Sequence, residues 1–305
     1  MDGQVWSELY RVVTELGRTH DRRRKQYSDA RIALVFLWSV FRDRPRCWAC
    51  DPANWPEAER WRPPLPSRRT LGRRLKTVGV QLLLLEQAQS YLRDRLPAGA
   101  LKLLDAKPLP VGGCSKDRDA RCGRGAGGRA RGYRLHAVLD AVGGAVEAWR
   151  LAPMSANEKP VARESLLPAL PAGTLYVAAD NEYDGNETFD AAAAAPHAPG
   201  AQLVTTPRRV RPKGLGHRRQ SPHRLRSLAL TDNPLGACGL GPSFGQTLVA
   251  ARVAVERRWG LMGNFGGGLG PLPNWVRRPR RVALWVAGKI LIYMAREVVK
   301  QRLAA

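Results

Sequence analysis

Acidic residues are what this sequence has little of: 26 Asp and Glu stand against 50 Lys and Arg in 305 residues, a net charge of +24. That deficit favours a polyanionic partner, nucleic acid ahead of an anionic membrane surface. Long hydrophobic runs are missing too. The longest, Val282 to Ala295, contains Lys289 and is too short to span a bilayer, and the N-terminus has no apolar signal-like segment. No membrane partner and a cytoplasmic location are therefore expected. Cysteine is scarce and odd in number, with five, which in a sequence with no signal-like segment argues against a disulfide framework. Cys47 and Cys50 have zinc-knuckle spacing, but Cys114 and Cys122 form no second matching pair, so a four-ligand zinc is not expected. What is present, 44% apolar and 25% charged residues, is ordinary for a chain with a substantial core.

The pattern divides the chain near residue 98. Residues 1–98 read as mainly helical, with Val12, Val13 and Leu16 at helical spacing ahead of the basic run Arg22 to Lys25. Ser28 is placed to cap a helix carrying Ile32, Val35, Trp38 and Phe41. After a proline-rich connector, Ser67 caps a short helix, Arg68 to Val78, that bears Arg68, Arg69, Arg73, Arg74 and Lys76 around Leu71 and Leu75. Such a helix suits a helix-turn-helix reader in a DNA groove, the plainer alternative being a solvated surface helix. A further helix, Gln81 to Leu96, ends at Pro97.

From residue 99 the period becomes that of strands: 101–104, 133–140, a Gly143-Gly144 turn into 146–151, then 175–179 and 201–205. Helices at 160–167, from Phe189, at 246–262 and at 281–303 complete an α/β domain on a mixed sheet over residues 99–305. Residues 207–227 read as a basic loop. Gly123 to Gly128 satisfies G-x-G-x-x-G but follows no strand and opens no helix, so it reads as a flexible basic loop and not a dinucleotide fingerprint.

Three acids occupy distinct contexts. Asp105 and Asp180 close apolar runs that read as buried strands, and Glu256 rides a basic helix one turn after Arg252. Buried lone carboxylates are expensive without a partner or a metal, and three of them suit two-metal phosphoryl transfer. Mg²⁺ prefers such oxygen donors. Buried salt bridges with neighbouring arginines are the structural alternative. Glu158, Glu182 and Asp184 compete for the roles, Asp184 being placed to start a helix; Asp117 and Asp119 read as solvated partners of Arg118 and Arg121. His136 reads as an ordinary sheet residue. Trp275, among Arg277, Arg278, Arg280 and Arg281, suits either base stacking or anchoring of the last helix.

Four motifs in order carry a resemblance. Asp105 to Pro110 resembles a first-aspartate strand, and Gly132-Tyr133-Arg134-Leu135-His136 a "KGYKLH" second strand. Ala179 to Asp184 resembles an "aD.gYD" second-aspartate motif, and Arg252-x3-Glu256-Arg257 the core of a Y-x2-R-x3-E-x6-K signature. Together they resemble bacterial insertion-sequence transposases of the DDE group, with a ribonuclease-H-like catalytic domain. The signature's Tyr and Lys positions hold Val249 and Gly263, with Arg257, Arg258 or Lys289 as substitutes for the lost DNA contacts. The resemblance implies a ribonuclease-H-like mixed sheet over 99–305, a DNA-end-binding domain over 1–98, and two Mg²⁺ or Mn²⁺ ions held by Asp105, Asp180 and Glu256. Double-stranded DNA would be held by Arg68, Arg69, Arg73, Arg74, Arg252 and Arg257. A homodimer on DNA and association with the nucleoid are further implications. An inactive DNA-binding relic and a ribonuclease-H-like repair nuclease are the alternatives.

Overall fold

A computed structural model describes residues 1–18, 26–56, 64–112, 115–125, 127–207, 219–233, 241–263, 269 and 271–304. The basic run 22–25, Cys114, Ala126 and residues 208–218 of the expected basic loop lie outside them. By contact the chain forms two compact units: Met1–Leu96 with Cys114–Asp117 and Gly260–Ala305, and Pro97–Gly113 with Arg118–Trp259.

The first unit is helical. α1 (Asp2–Arg18) buries Val5, Trp6, Leu9, Val12 and Val13 along one stripe. α2 (Asp29–Phe41) starts where the Ser28 side chain accepts from the Arg31 amide, 3.0 Å, and is buried almost throughout. Trp6, Trp38 and Trp55 pack together, with centroids 4.7 Å apart for Trp6 and Trp38 and 5.3 Å for Trp38 and Trp55. Ser67 caps α3 (Arg68–Arg74), which stops four residues short of the expected Val78: Lys76 and Thr77 turn back onto the carbonyls of Arg73 and Arg74. From Thr77 a second helical rod runs through α4 (Val78–Leu82), a π-turn over Leu83–Gln87 and α5 (Ala88–Arg93). The last helix of the chain, Pro279–Ala304, packs on α1, α2 and α5. Lys289, which interrupts its apolar run, is 2% exposed and pairs with Asp43 at 2.7 Å. Asp117, expected in solvent, is also buried; its carboxylate accepts from the Arg278 amide at 2.8 Å.

The second unit is a six-stranded mixed sheet. β1 (Leu101–Pro110), β3 (Gly128–Asp140) and β4 (Val146–Pro153) form an antiparallel meander, and β5 (Tyr176–Ala179) and β6 (Gln202–Thr205) continue it in parallel from β1. The order is β4-β3-β1-β5-β6, with β2 (Arg121–Gly125) paired to the first residues of β3. β1 outruns the expected 101–104 because β3 pairs it as far as Pro110. β5 stops opposite Leu104, so Pro108 and Pro110 lie where β1 has a strand on one side only, and their missing amides cost little. Gly132 belongs to this register: a Cβ there would stand 2.2 Å from the Leu109 carbonyl oxygen. The expected flexible loop at Gly123 to Gly128 is instead the β2–β3 hairpin, which glycines permit because Gly128 turns at φ +112°.

Helical segments cover the face carrying Leu104, Val138, Val177 and Leu203. They are α6 (Glu158–Val161) with the π-turn after it, which bring Ala162 and Leu166, and α7 (Asn186–Ala193), which brings Phe189 and Ala192. Lys102, on β1, is 2% exposed and bonds Asp140 and Glu147, each at 2.8 Å. Asp140 also accepts from the amides of Gly99, Val142 and Gly143, so this buried charge cluster fixes the β3–β4 turn. The later part of the expected 207–227 loop is α8 (Pro222–Thr231), with the Ser221 side chain as its cap. The architecture is mixed α/β and ribonuclease-H-like. Among the described residues no helix is long and apolar enough to cross a membrane.

Candidate functional site

The parallel register of β1 and β5 pairs Leu104 with Ala179, so Asp105 and Asp180 are the next residues of neighbouring strands. β1 continues past Asp105 whereas β5 ends at Ala179, so Asp105 is a mid-strand residue beside the gap that β5 leaves. Asp180 turns the chain: its carboxylate accepts from the Glu182 amide at 3.0 Å and caps a single 3-10 turn, Asn181–Tyr183.

Opposite them lies a helix broken once. Ser243 and Gln246 form a capping box for α9 (Phe244–Ala251), and after Arg252 the chain re-enters α10 (Val253–Gly263). The single long helix expected over 246–262 is thus two. Arg252, Glu256 and Trp259 follow one another at four and three residues, which keeps them on one face. The Trp259 indole N–H donates to Asp105 Oδ2 at 2.8 Å, and Arg252 Nη1 stands 3.9 Å from Asp105 Oδ1. Asp105, Asp180, Glu256, Arg252 and Trp259 all line one cleft of about 750 Å³.

Burial pushes the Asp105 carboxyl above the usual carboxylate range, and the charge of Glu256 adds to the effect. Trp259, the Ala106 amide and the Arg252 guanidinium pull the other way. Glu158, at the first position of α6, lines the same cleft and is raised mainly by burial, with Asp180 and Asp105 adding, while Arg134 opposes the rise from 2.5 Å. Buried Tyr183 is held well above an ordinary phenol by its surroundings and by Glu158, Asp105 and Asp180.

The cleft therefore presents five carboxylates, Glu182 included, and a basic wall of Lys107, Arg124, Arg134, Lys159 and Arg252. Oxygen donors of this kind suit a hard divalent cation. Among the described residues, however, no three His, Cys, Asp or Glu side chains are gathered closely enough to grasp one ion. The donor chemistry fits; the ligands are not drawn around a single point.

Of the residues singled out in the sequence, Asp105, Asp180, Glu256 and Arg252 meet at this cleft; Arg257 is exposed on α10 and does not line it. Arg68, Arg69, Arg73 and Arg74 belong to the helical unit. Arg68, Arg69 and Arg73 are exposed, while Arg74 pairs with Asp29 and donates to the Tyr27 carbonyl. Asp184 does not start α7, whose first residue follows Gly185; it is 6% exposed and bonds Arg224 through both oxygens, at 2.7 and 2.9 Å. Cys47, Cys50 and Cys122 are free thiols. His136 is fully buried, neither ring nitrogen has a hydrogen-bond partner among the described residues, and burial pushes its pKa down to about 4. Trp259 is the residue that sequence reasoning missed; its spacing from Arg252 and Glu256 was the available signal.

A family model described as the transposase DDE domain matches residues 99–294. No match is found among curated proteins or solved structures. The matched stretch takes in the whole sheet, both aspartates and the helix of Glu256, nearly two thirds of the sequence, and on that ground this chain belongs to the transposase DDE-domain family.

Proposed function

We propose that this protein cuts the DNA ends of an insertion sequence and joins them to target DNA by two-metal phosphoryl transfer. Membership of the family makes it a DNA-acting transposase; the route and the residue roles are our reading. The observation that carries it is the placement of Asp105 and Asp180 side by side in register, with Glu256 on the facing helix of the same cleft. Asp105 and Asp180 would hold one side of a pair of Mg²⁺ or Mn²⁺ ions and Glu256 the other. Such ions, when bound, polarise the phosphate and stabilise charge on the attacking and leaving oxygens.

The chain's own part is positional. Trp259 fixes the rotamer of Asp105 through its indole N–H, and Arg252 offers a guanidinium to the phosphodiester or to the carboxylate beside it. Arg124, Arg134, Lys107 and Lys159 line the approach and would hold the strand backbone. The same cleft would serve water attack first and attack by the freed 3′-hydroxyl second. The exposed arginines of α3 would engage the element end, a homodimer would bring two ends together, and the protein would work in the cytoplasm on nucleoid DNA.

Asp105→Asn, Asp180→Asn and Glu256→Gln should each reduce Mg²⁺-dependent nicking of end DNA to background in a gel assay, with DNA binding retained. Full cleavage by any one of them would remove that residue from the site. An inactive DNA-binding relic is the second reading, favoured by Val249 and Gly263 at the signature's Tyr and Lys positions. In that case the unsubstituted protein would bind ends and never cut them. Cutting without joining in a strand-transfer assay would instead indicate a repair nuclease.

A further inference from the structure

The helical unit contains a second cleft, of about 390 Å³, whose lining shares the cations of the first and lacks its carboxylates. Seven of its lining residues are Lys or Arg and none is acidic. Three guanidinium groups define it: Arg46 from the segment after α2, Arg68 from the first turn of α3, and Arg281 from the first turn of α11 (Pro279–Ala304). Arg46 lies against Gly72, where a Cβ would stand 3.1 Å from its Nη2, so the glycine in the middle of α3 leaves room for the guanidinium. The helix itself would prefer alanine at that position.

The cluster runs against ordinary electrostatic preference. Burial lowers the Arg46 pKa, and the charges of Arg281 and Arg68 lower it further. The first turn of α11 carries Arg280 and Arg281 and no acid, where the helix dipole favours anions. Its entry turn is held by Arg278, a non-glycine residue at φ +72°, whose amide is bonded to buried Asp117. Strained backbone that gathers like charges around a cavity is typical of a site completed by a ligand of opposite sign.

We infer that this cleft clamps the phosphate backbone of DNA, a second grip separate from the carboxylate cleft and built from three segments far apart in the chain. Half-exposed Trp275 stands at the same cleft, where a sugar or base beside the clamped phosphate can rest on it. The inference rests on the reading of the protein as DNA-acting, but not on its catalysing strand cleavage.

The test uses the full chain and a plain duplex, with affinity measured across a salt series. The triple variant Arg46→Gln/Arg68→Gln/Arg281→Gln should bind at least tenfold more weakly near 0.15 M salt. Its slope of log affinity against log salt should be shallower by about 2 to 3, since roughly 0.9 is lost per phosphate contact. Arg281→Gln alone changes an exposed side chain that the fold does not need, and should lower the slope by about one. Arg281→Lys should restore it, because a point charge releases the same counterions; a purely structural role would give no such rescue. Inorganic phosphate at constant ionic strength should raise the melting temperature of the wild type but not of the triple variant. An unchanged DNA slope in both Gln variants overturns the proposal, and if the phosphate response alone is lost the cleft takes a free anion and not DNA. Loss of binding to phosphatidylserine vesicles without change in the DNA slope would assign it to a lipid surface and also overturn it. The nicking assay of the unsubstituted protein tests the catalytic reading separately: absence of cutting there overturns that reading and leaves the salt slopes as the test of this cleft.

Discussion

At the scale of single residues, Trp259 and His136 separate what serves chemistry from what serves the fold. The Trp259 indole N–H is aimed at a carboxylate proposed to hold metal, and a hydrogen bond to a charged group contributes about 1.5–3 kcal/mol. Trp259→Phe keeps an aromatic side chain but removes the donor and the pyrrole half of a buried indole. It should lower the melting temperature through the cavity left behind and, at a temperature where the variant is fully folded, still raise the Mg²⁺ concentration for half-maximal nicking several-fold, as a metal titration of the nicking rate would show. His136 works in the other direction. Its folded-state pKa, about 4, lies below its ordinary 6.5, so the unfolded chain binds the extra proton. The neutral imidazole's contribution is fully present above pH 6.5 and is lost as pH falls toward 4, on the order of 3 kcal/mol across that window. Replacing His136 by Leu should flatten this acid-side decline in urea-melt stability. Equal slopes for both proteins would show that the decline comes from other groups.

At the scale of elements, α3 divides its own arginines. Arg74 pairs with Asp29, itself 5% exposed, so Arg74→Ala takes a guanidinium away from a buried carboxylate. It should cost about 3 kcal/mol or more in denaturant stability. Arg68, Arg69 and Arg73 are exposed, and their joint replacement by Ala should leave stability within about 0.5 kcal/mol while making end-DNA binding weaker and less salt-dependent. A salt slope that stays unchanged would turn this face of α3 away from DNA. The cap at Ser67 and the leucines of α3 were legible because capping and burial are local. Its end was not, since Val78 continues the apolar pattern while the break depends on Thr77 starting a new helix. Likewise the strand at 101–104 was legible from its apolar run, but its extension through Pro108 and Pro110 depends on β3, twenty-odd residues away in sequence. Asp105, Asp180 and Glu256 were singled out as acids at strand ends and on a helix of a basic chain, and the structure brings all three to one cleft. Trp259 was overlooked because a tryptophan within a helix looks like packing until its partner across the cleft is known.

At the scale of the whole molecule, the helical unit is assembled from both ends of the chain. α11 buries Val282, Trp285, Ile290, Leu291, Tyr293 and Met294, and Gly288 lets it approach Val40 of α2 so closely that a Cβ would stand 3.1 Å from the valine methyls. At roughly 1.5–3 kcal/mol for each large apolar side chain buried, this helix is a major contributor to the unit's stability. A chain truncated before Pro279 should therefore leave α1, α2 and α5 with an uncovered apolar face, bind a hydrophobic dye and lose its cooperative melt. A truncated protein with an intact melt would show that the bundle closes without α11. During synthesis the first helices emerge long before the last, and Arg281 emerges after all three members of the acidic triad. The nascent polypeptide thus passes through a period when its sheet has been made and its N-terminal bundle still awaits a lid. A polypeptide cut short anywhere ahead of Pro279 would lack Arg281, the third guanidinium of the basic cleft, so that cleft is assembled only after the sheet and the acidic cleft have been made.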